Sequence, residues 1–183
     1  MKMQELTKKI QGLKEYTEEE RLAKVTKLGY FLRLIKNQTH EMCMAAVRQN
    51  GYSLQYVNYQ THEICMEALR ENPDAFEFVR EQTHELCMMA LKHNGRDLKF
   101  VKDQTPEICM AAVRQNGKAL QYVKDQTPEI CMAAVRNYGE ALQWVRHQTP
   151  EICLAAVNQD EMAIYHVNID VFKEDERFIT NLK

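Results

Sequence analysis

The chain has 183 residues, 45% hydrophobic and 27% charged, enough apolar material for one compact domain or one short repeat array. Its 24 basic and 26 acidic residues leave a net charge of -2, which excludes a general pull towards nucleic acid or anionic membrane but not a local basic stripe. The longest apolar runs resemble Ile108 to Val113, far short of the ~20 residues a spanning helix needs.

In chain order, Met1 to Tyr16 is charged throughout and has no apolar signal core, which makes the cytoplasm the default compartment. Residues 1–16 are expected to form an N-terminal capping helix, with Ile10 and Leu13 in phase with the repeats. Residues 17–38 read as a degenerate capping repeat, in which Arg21 takes the place of a later cysteine. Residues 39–170 hold six repeats of 22 residues, marked by Gln-Thr at Thr39, Thr61, Thr83, Thr105, Thr127 and Thr149. The pattern is lost after Asp170, and residues 171–183 are expected to close the array as a helix.

One copy, from Gln104, reads QTPEICMAAVRQNGKALQYVKD. Thr105 suits an N-cap, Pro106 the first helical position, and Glu107 and Arg114 the two ends of the helix dipole. Asn116-Gly117 predicts a helix stop with Gly117 in the left-handed conformation, and a second helix over Lys118 to Lys124. Ile108, Cys109, Ala112 and Val113 share one apolar face, and Leu120 and Val123 point inward from the second element. Helices this short are not stable alone, so each pair must stack on the next. The predicted fold is all-α: a right-handed αα-solenoid of helix-turn-helix repeats with degenerate capping ends.

The segment Ile108 to Val123, ICMAAVRQNGKALQYV, resembles a short tandem helical repeat of giant-virus and bacterial proteins, a family of unknown function. The resemblance covers residues 17–170 and implies helical repeats, a viral or bacterial source (host cytoplasm if viral), and no catalytic residues. Two positions depart from it: Pro73 and Glu161 stand where the repeat has glycine.

The candidate chemical sites dissolve into repeat positions. Cys43, Cys65, Cys87, Cys109, Cys131 and Cys153 recur one layer apart, too far for disulfides, and no C-x-x-C pair offers a zinc site. They read as buried thiols. A soft-metal ladder with Met44, Met66, Met88, Met110 and Met132 is hindered because adjacent helical residues diverge by about 100°. His40, His62 and His84 share a position with Pro106, Pro128 and Pro150, which points to a helix-start role. Gln38, Gln60, Gln82, Gln104, Gln126 and Gln148 are expected to bond the loops of neighbouring layers. Trp144 occupies the position of Tyr56, Phe78, Phe100 and Tyr122 and reads as repeat packing. No catalytic residue, cofactor or metal site is expected.

The candidate partner surface is what the core leaves over. One outer row is Tyr52, Asp74, Arg96, Lys118 and Glu140; a second is Gln55, Glu77, Lys99, Gln121 and Gln143; a third, basic row is Arg80, Lys102, Lys124 and Arg146. A candidate charged groove has Glu63, Glu85, Glu107 and Glu129 near one edge and Arg70, Lys92, Arg114 and Arg136 near the other. The leading expectation is a non-enzymatic scaffold for a protein partner, using the variable outer face, with no membrane contact. The alternative is a nucleic-acid or nucleotide binder using the Arg/Lys rows.

Overall fold

The structure, a computed structural model, describes residues 16–172. Among these, every regular element is an α-helix or a 3-10 segment. Ten-residue α-helices run over Glu18–Lys27, His40–Gln49, His62–Glu71, His84–His93, Pro106–Gln115, Pro128–Asn137 and Pro150–Gln159. Each is followed by a six-residue 3-10 segment, for example Gly51–Tyr56 after His40–Gln49 and Gly117–Tyr122 after Pro106–Gln115. The protein is a helical-repeat solenoid built from these helix and 3-10 units. Residues 1–15 of the expected N-terminal helix and 173–183 of the expected closing helix lie outside the described residues; Val171 and Phe172 end a 3-10 turn over Ile169–Phe172.

The helix starts follow from the sequence. Thr105 Oγ1 accepts from the Ile108 amide at 3.3 Å and Thr127 Oγ1 from Ile130 at 3.4 Å, while Thr17 and Glu20 close a reciprocal capping box. The helix ends correct the sequence reading twice. Asn116 leaves the helix in an extended conformation (φ -152°, ψ 111°), and no glycine among the described residues has positive φ. Asn116 Oδ1 instead accepts from the Lys118 amide at 3.0 Å, so one asparagine ends the α-helix and caps the next element. That element is also not a helix over Lys118 to Lys124. It is a 3-10 segment that stops at Tyr122, closed by Val123 N–H on Leu120 O at 3.1 Å. In a 3-10 turn residues three apart lie one above the other, which brings Leu120 and Val123 onto one inward line.

The two departures from the repeat keep this geometry. Asp160 Oδ1 accepts from the Met162 amide at 2.9 Å and starts the 3-10 segment Glu161–His166. Pro73 opens Pro73–Phe78 from the first position.

The chain divides into two compact units, Met1–Leu86 and Cys87–Lys183. In each, α-helices pack against α-helices of the next repeat, 3-10 segments against 3-10 segments, and each 3-10 segment also against the following helix. The first unit buries Val25, Leu32, Val47, Leu54, Leu69 and Phe76 completely, and the second buries Ala112, Val113, Leu120, Ala134, Val135 and Leu142 completely. Each such valine, leucine or phenylalanine is worth about 1.5–3 kcal/mol relative to exposure, a gain available only when the layers stack.

Candidate functional site

Two seams of side-chain amides join consecutive repeats. In the first, Gln104 Nε2 donates to Leu98 O (3.4 Å) in its own repeat and to Tyr122 O (2.9 Å) in the next. Its Oε1 accepts from the Lys124 amide (3.0 Å) and from the Cys109 thiol (3.6 Å). Two donors and two acceptors exhaust a glutamine amide. Gln38, Gln60, Gln126 and Gln148 repeat the arrangement. This glutamine row is therefore part of the frame, as the sequence predicted.

The second seam was not anticipated. Gly117 N–H donates to Asn137 Oδ1 at 2.6 Å, and Asn137 Nδ2 donates to Arg114 O at 2.9 Å. Gly95 and Gln115, Gly29 and Gln49, and Gly139 and Gln159 make the same glycine–amide bond. The glycine is there for proximity: a Cβ on Gly117 would stand 2.5 Å from Ala134 O and 2.8 Å from Tyr138 Cβ. The available signal was the amide residue at Gln49, Gln115, Asn137 and Gln159, obscured because its length varies and because Glu71 and His93 take its place in two copies.

Cys43, Cys65, Cys109, Cys131 and Cys153 belong to the first seam. All six cysteines are free and buried, and burial pushes each thiol up, Cys65 to about 11. A thiol so held is protonated at neutral pH and is a weak nucleophile. Met44 is buried and Met66, Met88, Met110 and Met132 are half-buried beside them. His40, His62 and His84 open their helices as Pro106, Pro128 and Pro150 do. Two of these histidines also meet the next repeat, His40 Nε2 at 3.4 Å from Glu63 and His62 Nε2 at 3.1 Å from Glu85. Trp144 is half-buried beside Tyr138, with ring centroids 6.4 Å apart.

The charged-groove residues occupy the two ends of their helices. Glu63, Glu85, Glu107 and Glu129 lie in the first turns, and Arg70, Lys92, Arg114 and Arg136 in the last turns, all exposed. Glu63 and Glu85 face histidines. Arg48 and Arg70 both reach Glu67, at 2.9 and 3.4 Å, a residue sequence reasoning passed over. The Arg48 hydrogen bond holds the Glu67 carboxyl below its ordinary range. Hydrogen bonds from its own amide and from Thr127 do the same for Glu129.

The first two outer rows lie on the 3-10 segments; the basic row, expected on the same element, falls two residues beyond each segment's end because the segment stops at Phe78, Phe100, Tyr122 and Trp144. Asp74, Arg96 and Lys118 are exposed, and Tyr52 and Glu140 are half-buried. Tyr52 meets Phe78 edge-on at 6.1 Å. Glu140 takes a hydrogen bond from the Tyr138 hydroxyl, which pushes that phenol up, and Lys118 Nζ lies 4.7 Å from the Tyr138 ring centroid. Gln55, Glu77, Lys99, Gln121 and Gln143 are all exposed. Gln55, Gln121 and Gln143 each fold back on a carbonyl three residues earlier, at 2.9–3.0 Å. The basic row is tied to the frame. Arg80 Nη1 donates to Asn58 O (2.8 Å), Lys124 Nζ to Lys102 O (2.7 Å), and Arg146 to Lys124 O and Val123 O (2.6 and 3.1 Å).

Comparison with known families matches this pattern. The model of a family described as a domain of unknown function (DUF4116) matches residues 39–82, 84–127 and 105–148, each window running across two consecutive repeats. The chain belongs to the DUF4116 family. No curated protein and no solved structure matches it. Within this DUF4116 chain, no helix among the described residues is long and apolar enough to cross a membrane. Among the same residues, no group of three or more histidine, cysteine, aspartate or glutamate side chains is placed to hold a metal ion.

Proposed function

We propose that this DUF4116 chain is a non-enzymatic cytoplasmic scaffold that holds a protein partner on the outer rows of its 3-10 segments. The observation that carries the reading is a division between positions. The glutamines of the first seam, which bond repeat to repeat, are constant, as in Gln38, Gln60, Gln104, Gln126 and Gln148. The exposed positions beside them change charge, from Asp74 to Arg96 and Lys118, and from Glu77 to Lys99 and Gln121. A fixed frame with a variable face suits an irregular protein surface. The carbonyl bonds of Arg80, Lys124 and Arg146 favour this over nucleic acid, because those cations already serve the frame.

The test is cross-linked capture of partners from the producing cell, with the parent chain and two variants. Lys99→Glu with Gln121→Glu is expected to lose a partner that Arg114→Glu, on the α-helical layer, retains. Retention on single-stranded RNA that weakens steeply with salt, with no protein captured, would overturn the reading in favour of nucleic acid.

A further inference from the structure

The last described repeat, residues 149–170, is built like its neighbours but finished differently. Leu120 and Leu142 are fully buried, whereas Ile164 at the same position is 59% exposed. Val113 and Val135 are fully buried, and Val157 is half-buried. Leu154 is 49% exposed on the preceding helix. These are the positions that, one repeat earlier, receive the next layer.

A second change affects the outer rows. Met162 and Tyr165 stand where Lys118 and Glu140, and Gln121 and Gln143, stand before them, and both are exposed, as is Ile169. Met162 and Tyr165 are three apart on a 3-10 segment and so share a face. The charge changes as well. Residues 149–170 contain Glu151, Asp160, Glu161 and Asp170 but no lysine or arginine, and the helix Pro150–Gln159 lacks the last-turn cation of Arg114 and Arg136.

We propose that this end of the second unit docks an amphipathic helix of another protein, whose apolar stripe is flanked by lysine or arginine. The surface continues the interface that repeats form with one another, so a helical layer fits it. The acidic balance around it selects a basic partner and opposes a second copy of the same acidic end. This goes beyond the outer-row reading and stands or falls separately from it, since it uses no residue of those rows before residue 149.

The experiment titrates the full chain against a fluorescent synthetic Leu/Lys helix of about four turns, followed by anisotropy. The Leu/Lys helix is expected to bind and a Leu/Glu helix of the same register to fail. Ile164→Asp and, separately, Tyr165→Ser are expected to weaken binding by at least about tenfold, and Glu161→Lys by less, while Gln121→Glu changes nothing. Circular dichroism checks that each variant is folded. Equal binding by the parent and the Ile164→Asp chain would overturn the proposal. So would equal binding of both peptides, or a dimer in sedimentation that Ile164→Asp abolishes. Binding that appears only after removal of residues 173–183 would assign the face to the chain itself and also overturn it.

Discussion

Along one edge of a repeat, Gln126 reaches Leu120 O, Trp144 O, the Arg146 amide and the Cys131 thiol. Along the other, Gly117 offers one amide to Asn137, and Asn137 returns one bond to Arg114 O. The first edge carries glutamine in every copy from Gln38 to Gln148. The second carries glycine at Gly29, Gly51, Gly95, Gly117 and Gly139 but proline at Pro73 and glutamate at Glu161, and its acceptor position runs through Gln49, Glu71, His93, Gln115, Asn137 and Gln159. The difference follows from the number of partners each side chain must satisfy. Four partners at fixed distances demand two donors and two acceptors on one amide; asparagine is one methylene short and glutamate has no donor. A single bond at the rim tolerates a change of length, or omission where proline has no N–H.

The strongest way to break this contrast is Gln126→Ala. It strands carbonyl and amide groups on two repeats and is expected to cost roughly 2–4 kcal/mol in urea unfolding. An unchanged midpoint would show that these four bonds do not hold the layers. Gly117→Ala tests the other edge. Its Cβ meets Ala134 O, and roughly 1–3 kcal/mol is expected from overpacking; no loss would mean the layers separate freely at that edge.

A smaller, pH-dependent effect isolates the thiol within the first seam. With the Cys65 thiol raised from 9.0 to about 11 in the fold, the unfolded chain gives up its proton first as pH rises. The stability linked to Cys65 is complete below about 9 and is lost as pH climbs through about 11. Chemical unfolding across that window should show a shallower alkaline decline for Cys65→Ala than for the parent. The smallest effect is expected at Gln121→Ala, on the exposed outer row, within about 0.5 kcal/mol by thermal melt. A larger loss there would make the outer row part of the frame.

Much of the fold was legible because one signal was repeated. Thr105, Pro106, Ile108, Cys109 and Ala112 announced a capped helix with one apolar face, and the constant glutamine announced a seam. The 3-10 character of Gly117–Tyr122 was not legible, because so short a segment, with Leu120 in it and Val123 just after it inward, fits either helical period. Asn116-Gly117 misled for a related reason. That dipeptide commonly marks a left-handed turn, and only the Ala134 carbonyl of the next repeat shows that closeness selects the glycine. The outer rows were legible as exposed positions. The use of Arg80, Lys124 and Arg146 on backbone carbonyls was not, since those partners lie about one repeat away in the chain.

The placement of both seams has a genetic consequence. Each repeat encodes its own donors and its own acceptors: Gln104 closes on Leu98 behind it and on Tyr122 ahead, and Gln126 continues in the same phase. An in-frame duplication of one repeat by unequal recombination inserts a layer whose two edges already match its neighbours. No intermediate with stranded polar groups has to survive selection. Copy number is then free to change in single steps, while point substitutions alter the exposed rows of each copy independently.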